Sequence, residues 1–291
     1  MTSDAASSPP FVRIGPERPA SPVVLSVPHA GRCYPPEMLR AARLPRAVLE
    51  TLEDRLVDRL VWRAVEAGAT AFVAQAPRAE IDLNRDEREI DPALIVPPLA
   101  SGSTLASPRS RGGLGLIPSR IAGVGAVWKE GITRVELARR LDTVHRPYHA
   151  ALAAALAEAS ERFGAAVLLD CHSMPPRAAS GGDPQAALVF GDRHGASASA
   201  ELVDAAVAAA RALGWRTARN APYAGGYIAG RHGDPERGVH AIQLEICRSA
   251  YLDAELRAPG PGFAAVCRLV AAVAQALEAS LFGSDQPLAA E

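Results

Sequence analysis

Short apolar runs of strand length alternate along this chain with segments of helical period, and few folds other than an α/β sheet accommodate that alternation. The strand-like runs are 23–27, 71–74, 166–169, 187–190 and 240–246. Between them, Ala, Leu and Val recur at three- and four-residue steps beside charged positions, which predicts helices over 49–67, 134–163, 198–213 and 263–281. Gly68, Gly164 and Gly214 each stand where the residue after a helix must turn left-handed.

Three of the strand-like runs stop on side chains with chemistry to offer. Val-Leu-Ser-Val-Pro leads to His29, Ala-Val-Leu-Leu-Asp-Cys to His172, and His-Ala-Ile-Gln-Leu to Glu245. The carboxyl ends of strands in an open α/β sheet line its ligand crevice, so residues far apart in sequence meet there. Catalytic zinc sites use three protein ligands and leave a fourth position open, and His29 and His172 supply two of the three. For the third, the segment predicted as the helix after the first strand offers Glu53, Asp54 and Asp58, the last two one turn apart on one face; Asp54 is taken as the ligand. A single histidine or aspartate at a strand end more often caps or hydrogen-bonds than ligates, and the spacing matches no short metal motif. The joint occurrence carries the reading. Glu245, on an apolar strand, suits a general base, against the alternative of a carboxylate paired with Arg248.

A further segment, Pro77-Arg78-Ala-Glu-Ile-Asp82-Leu-Asn84-Arg85-Asp86, places an amide and a guanidinium side by side. Asn84 and Arg85 suit a carboxylate ligand, and Arg78 a carbonyl oxygen; a solvated charged turn is the plainer reading, because Asp86 to Glu89 continue the run. Gly226 and Tyr227, in Gly225-Gly226-Tyr227-Ile228, allow close backbone approach to a ligand or form an ordinary turn. His149 reads as a helix-face or core histidine, and His232 as a residue supporting the site from behind. Residues 91–125, rich in proline and glycine, form either a functional cover or a mobile loop.

Bulk properties exclude several classes. Lys plus Arg number 31 against 32 Asp plus Glu, so neither nucleic acid nor an anionic membrane is an expected partner. Cys33, Cys171, Cys247 and Cys267 are scattered without a CxxC pair, which argues against a zinc ribbon or disulfide framework and for a reducing compartment. A cytoplasmic protein acting on a small molecule is expected.

In order along the chain, Ser26-Val-Pro-His29-Ala-Gly31, Asp54-x-x-x-Asp58, Ile81-Asp-Leu-Asn84-Arg85, Tyr148-His149, Asp170-x-His172-Ser173, Gly225-Gly226-Tyr227-Ile228 and Gln243-Leu-Glu245 resemble the N-formylglutamate amidohydrolases. These are metallohydrolases similar to zinc carboxypeptidases and aspartoacylase. The resemblance spans roughly residues 22 to 255. It implies a single catalytic domain over 1–291, with loose tails at about 1–20 and 283–291, folded as a three-layer sandwich around a mixed sheet of the zinc carboxypeptidase or phosphorylase/hydrolase type. It implies Zn2+, or another divalent metal, on His29, a carboxylate and His172, with Glu245 activating water. Asn84 and Arg85 then hold the substrate carboxylate, Arg78 polarises the scissile carbonyl, and Gly226 and Tyr227 line the substrate. Carboxypeptidase-type sites place a Glu three residues after the first His; Arg32 stands there in this chain, so the carboxylate comes from Asp54. The implied reaction cleaves N-formyl-L-glutamate to formate and L-glutamate, as in histidine degradation. Alternatives are an aspartoacylase-like deacylase, a small peptidase, or a metal-free protein that binds an acidic small molecule.

Overall fold

The computed structural model describes residues 9–100, 102–105, 107–176 and 186–283. Its centre is a mixed sheet of seven strands: β1 (Phe11–Ile14), β2 (Val23–Val27), β3 (Thr70–Ala74), β4 (Ala166–Met174), β5 (Leu188–Gly191), β6 (Thr217–Arg219) and β7 (Val239–Cys247), arranged β1-β3-β2-β4-β7-β5-β6. β4 runs parallel to both β2 and β7, β7 is antiparallel to β5, and β5 is parallel to β6. The central strands β2 and β4 are buried at every position, which is why they read as unbroken apolar runs without alternation. β4 extends past the apolar stretch 166–169 that marks it, so His172 lies inside the strand, as Glu245 does in β7, with two more residues of pairing beyond each.

The chain clusters into two compact units of interleaved segments. The larger unit, residues 14–27, 55–71 and 152–291, carries most of the sheet. In it the helix Phe263–Phe282 packs on Ala200–Ala212 and on Trp62–Glu66. Phe263–Phe282 is long and apolar enough to cross a membrane. Its buried stripe of Val266, Leu269, Val270, Val273 and Leu277, and the bond from the Ser21 hydroxyl to Glu278 at 2.7 Å, mark it instead as a core helix.

The smaller unit, residues 1–13, 28–54 and 72–151, holds the Arg78–Arg85 segment. Two sequence readings change here. Phe11–Ile14 is a strand rather than part of a loose tail: the Phe11 ring meets Tyr148 edge-on at 5.5 Å, and the Pro10 carbonyl accepts from Gln75. The remainder of the expected tails, 1–8 and 284–291, lies outside the described residues. The segment 91–125 is built of short elements, Pro92–Leu94, Ile95–Val96, Pro108–Arg111, Arg120–Ile121 and the start of Gly125–Ala126. Its Leu116 and Ile117 are fully buried. The Leu116 carbonyl accepts from the Asp82 N–H at 2.7 Å, and the Pro118 carbonyl from the Trp128 indole at 2.8 Å. A Cβ at Gly115 would lie 2.5 Å from the Glu89 carbonyl oxygen, so glycine permits the close docking.

The predicted helix 134–163 is continuous but not uniformly α: Arg134–Arg140 passes through a π turn, Leu141–His145, into Arg146–Phe163. Its first turns are tied to the Arg78–Arg85 segment. Arg139 bridges Glu136 and Glu80, while the buried Arg140 bonds Glu136 at 2.7 Å and the Glu80 carbonyl at 2.7 Å and stacks on Trp128. The Glu136 carboxyl is lowered from 4.5 to about 2, chiefly because Arg139 donates to it; partial burial opposes this and Arg140 reinforces it. The unfolded chain therefore binds this proton at higher pH than the folded protein does, so the stabilising contribution is full above pH 4.5 and is lost as pH falls to about 2. Glu136→Gln is expected to lower stability at neutral pH, with the deficit shrinking across that acid window. Urea unfolding at a series of pH values checks this, and a deficit that stays constant would reject it.

Candidate metal centre

A helix through 49–67 is what the apolar periodicity predicts, and the structure breaks it. Helical turns at Arg46–Leu49 and Glu50–Leu52 stop at Glu53, whose backbone is extended, and Leu56 takes a left-handed conformation before Val57–Leu60 resumes. Tertiary bonding overrides the local preference: the Asp54 N–H donates to the His29 carbonyl at 2.9 Å instead of to a carbonyl one turn back. The Asp54 carboxylate then stands 3.3 Å from His29 Nδ1, with both side chains buried. Asp54 and Asp58 thus do not share a helix face. Glu53, the neighbouring candidate, accepts the Tyr34 hydroxyl at 2.8 Å.

The other ring nitrogen of His29, Nε2, lies 2.7 Å from Asp82 Oδ1. That carboxylate is the centre of the Arg78–Arg85 segment. Its Oδ1 also accepts the Asn84 N–H at 2.9 Å, and its Oδ2 accepts Arg78 Nε at 2.9 Å. Burial by itself would raise the Asp82 pKa, but Arg78, His29 and Arg85 outweigh it and hold the carboxyl well below its ordinary range. Arg85 is buried, giving Nε to the Leu114 carbonyl at 3.0 Å and Nη1 to the Asn84 carbonyl at 2.6 Å. Its Nη2, buried and 3.9 Å from Asp82 Oδ2, makes no hydrogen bond among the described residues. The reading of this segment as a solvated turn fits 86–89 alone, where Arg88 is exposed and the rest are partly so, since 81–85 are buried throughout. His145 Nε2, in the π turn, lies 2.9 Å from the Arg85 carbonyl and His149 Nε2 3.0 Å from the Leu83 carbonyl. The expected helix-face role of His149 is therefore a clamp on this segment's backbone.

In the sheet, the parallel register of β4 and β7 sets Asp170 opposite Gln243 and His172 opposite Glu245. Residues two apart share a face of a strand, so these four side chains project on one side. His172 Nε2 lies 2.7 Å from Asp170 Oδ2, and the Ser26 hydroxyl donates to Asp170 Oδ1 at 2.7 Å. The Gln243 amide donates to Glu245 Oε1 at 2.8 Å while its own oxygen accepts the Gly226 N–H at 2.7 Å. The Gly226 N–H thus serves Gln243. Tyr227 opens the helix Tyr227–His232, and its hydroxyl accepts from Arg231. Arg248, weighed as a partner of Glu245, gives its Nε to the Ser173 hydroxyl at 3.0 Å. Burial, then the charge of Arg231, lower the His232 pKa to about 4 against the opposing pull of Asp170, so this ring is neutral at pH 7.

His29, Asp54 and His172 together form a buried group whose ligand atoms all lie within 4.8 Å of one another. Two imidazoles and one carboxylate are a donor set suited to zinc. Each histidine has a carboxylate on its Nε2, the arrangement that fixes a ligating imidazole. Asp82, Asp170, Ser26 and Gln243 were given no role on sequence grounds. The signals available were their places inside the motifs that carry the family resemblance and, for Asp170 and Gln243, the two-residue step to His172 and Glu245, which puts each pair on one strand face.

Residues 21–252 match the family model described as N-formylglutamate amidohydrolase. The chain belongs to this family. N-formylglutamate deformylase of Pseudomonas putida is 31% identical over 80% of this chain and 82% of its own length. The protein of the same name from Pseudomonas aeruginosa is 33% identical, with the same coverage of both chains. The crystal structure of N-formylglutamate amidohydrolase from Ralstonia eutropha JMP134 superposes with a TM-score of 0.85 at 34% identity, covering 92% of this chain and 97% of that one.

The bond from Ser26 leads to a stability prediction. Ser26→Ala removes a donor from a carboxylate that is fully buried, and is expected to cost about 1–3 kcal/mol. Chemical denaturation of the two proteins measures it; a cost near zero would show that Asp170 is satisfied without the hydroxyl.

Proposed function

We propose that this chain is a metal-dependent amidohydrolase that cleaves N-formyl-L-glutamate to formate and L-glutamate. The buried His29, Asp54 and His172 group supports this reading most directly, taken with the name shared by the family's curated members. Zinc, or another divalent ion, is assigned to these three residues, on a carboxypeptidase-like topology. When bound, the ion supplies Lewis acidity toward a carbonyl oxygen and makes water more acidic.

The remaining steps fall to the chain's own side chains. Glu245 takes the proton from the attacking water and delivers it to the leaving amine nitrogen. The Gln243 amide on Oε1 holds that carboxylate in one orientation. Arg85 and Asn84 hold a substrate carboxylate: Nη2 of Arg85 is a buried donor that makes no hydrogen bond within the described structure, and leaving such a donor unmatched costs about 1–3 kcal/mol unless a ligand accepts from it. Arg78 is the guanidinium for the carbonyl oxygen as negative charge develops there. A cytoplasmic protein in histidine degradation is the setting this chemistry suits, and the four cysteines, all free thiols, suit a reducing compartment.

Elemental analysis coupled to a formate-release assay tests metal and substrate together. Removing the metal with a chelator is expected to abolish formate release, with zinc restoring it. Glu245→Gln is expected to lose about two to four orders of magnitude in kcat while keeping its metal. Unchanged turnover in that variant, or faster hydrolysis of N-acetyl amino acids or dipeptides than of the formyl substrate, would reject the assignment.

A further inference from the structure

Arg193 takes no part in the steps above and stands outside the motifs that carry the family resemblance, yet it holds both flanks of the turn on which Gln243 and Glu245 depend. It lies two residues beyond β5, exposed, with a left-handed backbone at φ 53°. Its N–H donates to the Ala224 carbonyl at 2.6 Å and its Nη1 to the Gly226 carbonyl at 3.3 Å. We infer that Arg193 is a positioning residue for the general base: by gripping 224–226 with backbone and side chain it places the Gly226 N–H, which orients Gln243 and, through it, Glu245. The proposed role of Glu245 as base is taken as given.

Each link in this relay runs in one sense. The Gly226 N–H can only donate, so Gln243 presents its oxygen to it at 2.7 Å and turns its NH2 to Glu245 Oε1 at 2.8 Å. A reversed amide would set two donors against each other and an oxygen against a carboxylate. Two glycines show that the turn is fitted to Arg193. A Cβ at Gly225, itself left-handed at φ 111°, would lie 3.0 Å from Arg193 Cγ, and one at Gly230 would lie 2.9 Å from both Cζ and Nε. Gly230 sits inside the helix Tyr227–His232, where glycine is a poor helix former; its use there is to leave room for the guanidinium. The helix also starts on the atom that Arg193 holds, since the Gly230 N–H donates to the Gly226 carbonyl at 3.2 Å. The Arg193 loop is pinned in turn: Asn220 Oδ1 accepts the Asp192 N–H at 3.0 Å, and Asn220 Nδ2 donates to the buried Asp192 Oδ1 at 2.5 Å.

Two variants of the full-length protein test this from opposite sides. Arg193→Ala removes the side chain and keeps its backbone bond. Gly230→Ala keeps the arginine but puts a methyl where its guanidinium lies, while favouring the helix, so this variant folds even if the first does not. With zinc added, both are expected to lower kcat for N-formylglutamate about 3- to 10-fold, with KM and zinc content unchanged. Hydrogen exchange at the Gly226 amide, followed by NMR in the metal-free proteins, is expected to quicken by a similar factor. A parent-like kcat in both variants, a raised KM at unchanged kcat, or an unchanged Gly226 exchange rate overturns the inference and leaves Glu245 as the base. Parent-like turnover in Glu245→Gln overturns both.

Discussion

The parallel register between β4 and β7 is the constraint on which the sheet's chemistry depends. Nine consecutive residue pairs, from Val239 opposite Ala166 to Cys247 opposite Met174, hold it. The strand period is two, so a slip of one residue would turn Asp170 and His172, or Gln243 and Glu245, to the opposite face. A slip of two would keep the faces but part His172 from Glu245. The pairing resists both because the alternating positions Leu169, Cys171, Ile242, Leu244 and Ile246 are fully buried, and either slip would disturb that packing on one or both faces. The polar side chains are thus placed by their apolar neighbours.

Burying charge has a cost, and the structure meets it in the same manner twice, once in the sheet and once in the loop that holds Asp82. Asp170 and Asp82 are both almost wholly buried, where an uncompensated carboxylate would cost several kcal/mol. Asp170 receives a hydroxyl from Ser26 on the neighbouring strand and stands against His172; Asp82 receives a backbone N–H and an arginine and stands against His29. In each case an imidazole is one of the compensating partners, so the groups that make burial tolerable also set a ring's orientation. Arg140 shows the same economy for a cation: its buried guanidinium is met by Glu136, the Glu80 carbonyl and the Trp128 face, and through Glu80 it anchors the backbone two residues before Asp82.

The strands were legible in the sequence because burial on both faces leaves an apolar run that few other elements share. His29, His172 and Glu245 stood out because each follows or interrupts such a run with a group that a buried strand would otherwise avoid. The helix over 49–67 misled because its apolar spacing is real: Leu49, Leu52, Leu56, Val57, Leu60, Val61 and Ala64 are all buried. Periodicity reports which residues face inward, not whether the backbone between them is continuous, and the bond that interrupts it comes from His29, well outside any local window. The π turn at Leu141–His145 is invisible for the same reason: one added residue in a helix leaves the composition unchanged while rotating every later side chain. Asp82 escaped notice because it sits in a charged stretch whose partly exposed end, 86–89, resembles an ordinary surface turn.

The break at Glu53 deserves a physical account beyond the failed prediction, because an unbroken helix could not build this site. Inside a helix the Asp54 N–H would bond four residues back to Glu50, and the side chain would project outward from the helix surface at its place in the turn. Released from that ladder, the N–H reaches the His29 carbonyl, which places the Asp54 carboxylate beside the His29 ring by a backbone bond rather than by side-chain packing alone. A left-handed Leu56 is unfavourable for a residue with a Cβ, by about 1–2 kcal/mol, and it persists because Leu52, Leu56 and Val57 on either side of the turn are buried. Apolar burial around the break therefore maintains the backbone conformation that brings Asp54 to His29, and a substitution that eased Leu56 back into a continuous helix would gain local propensity while taking the Asp54 carboxylate away from the His29 ring.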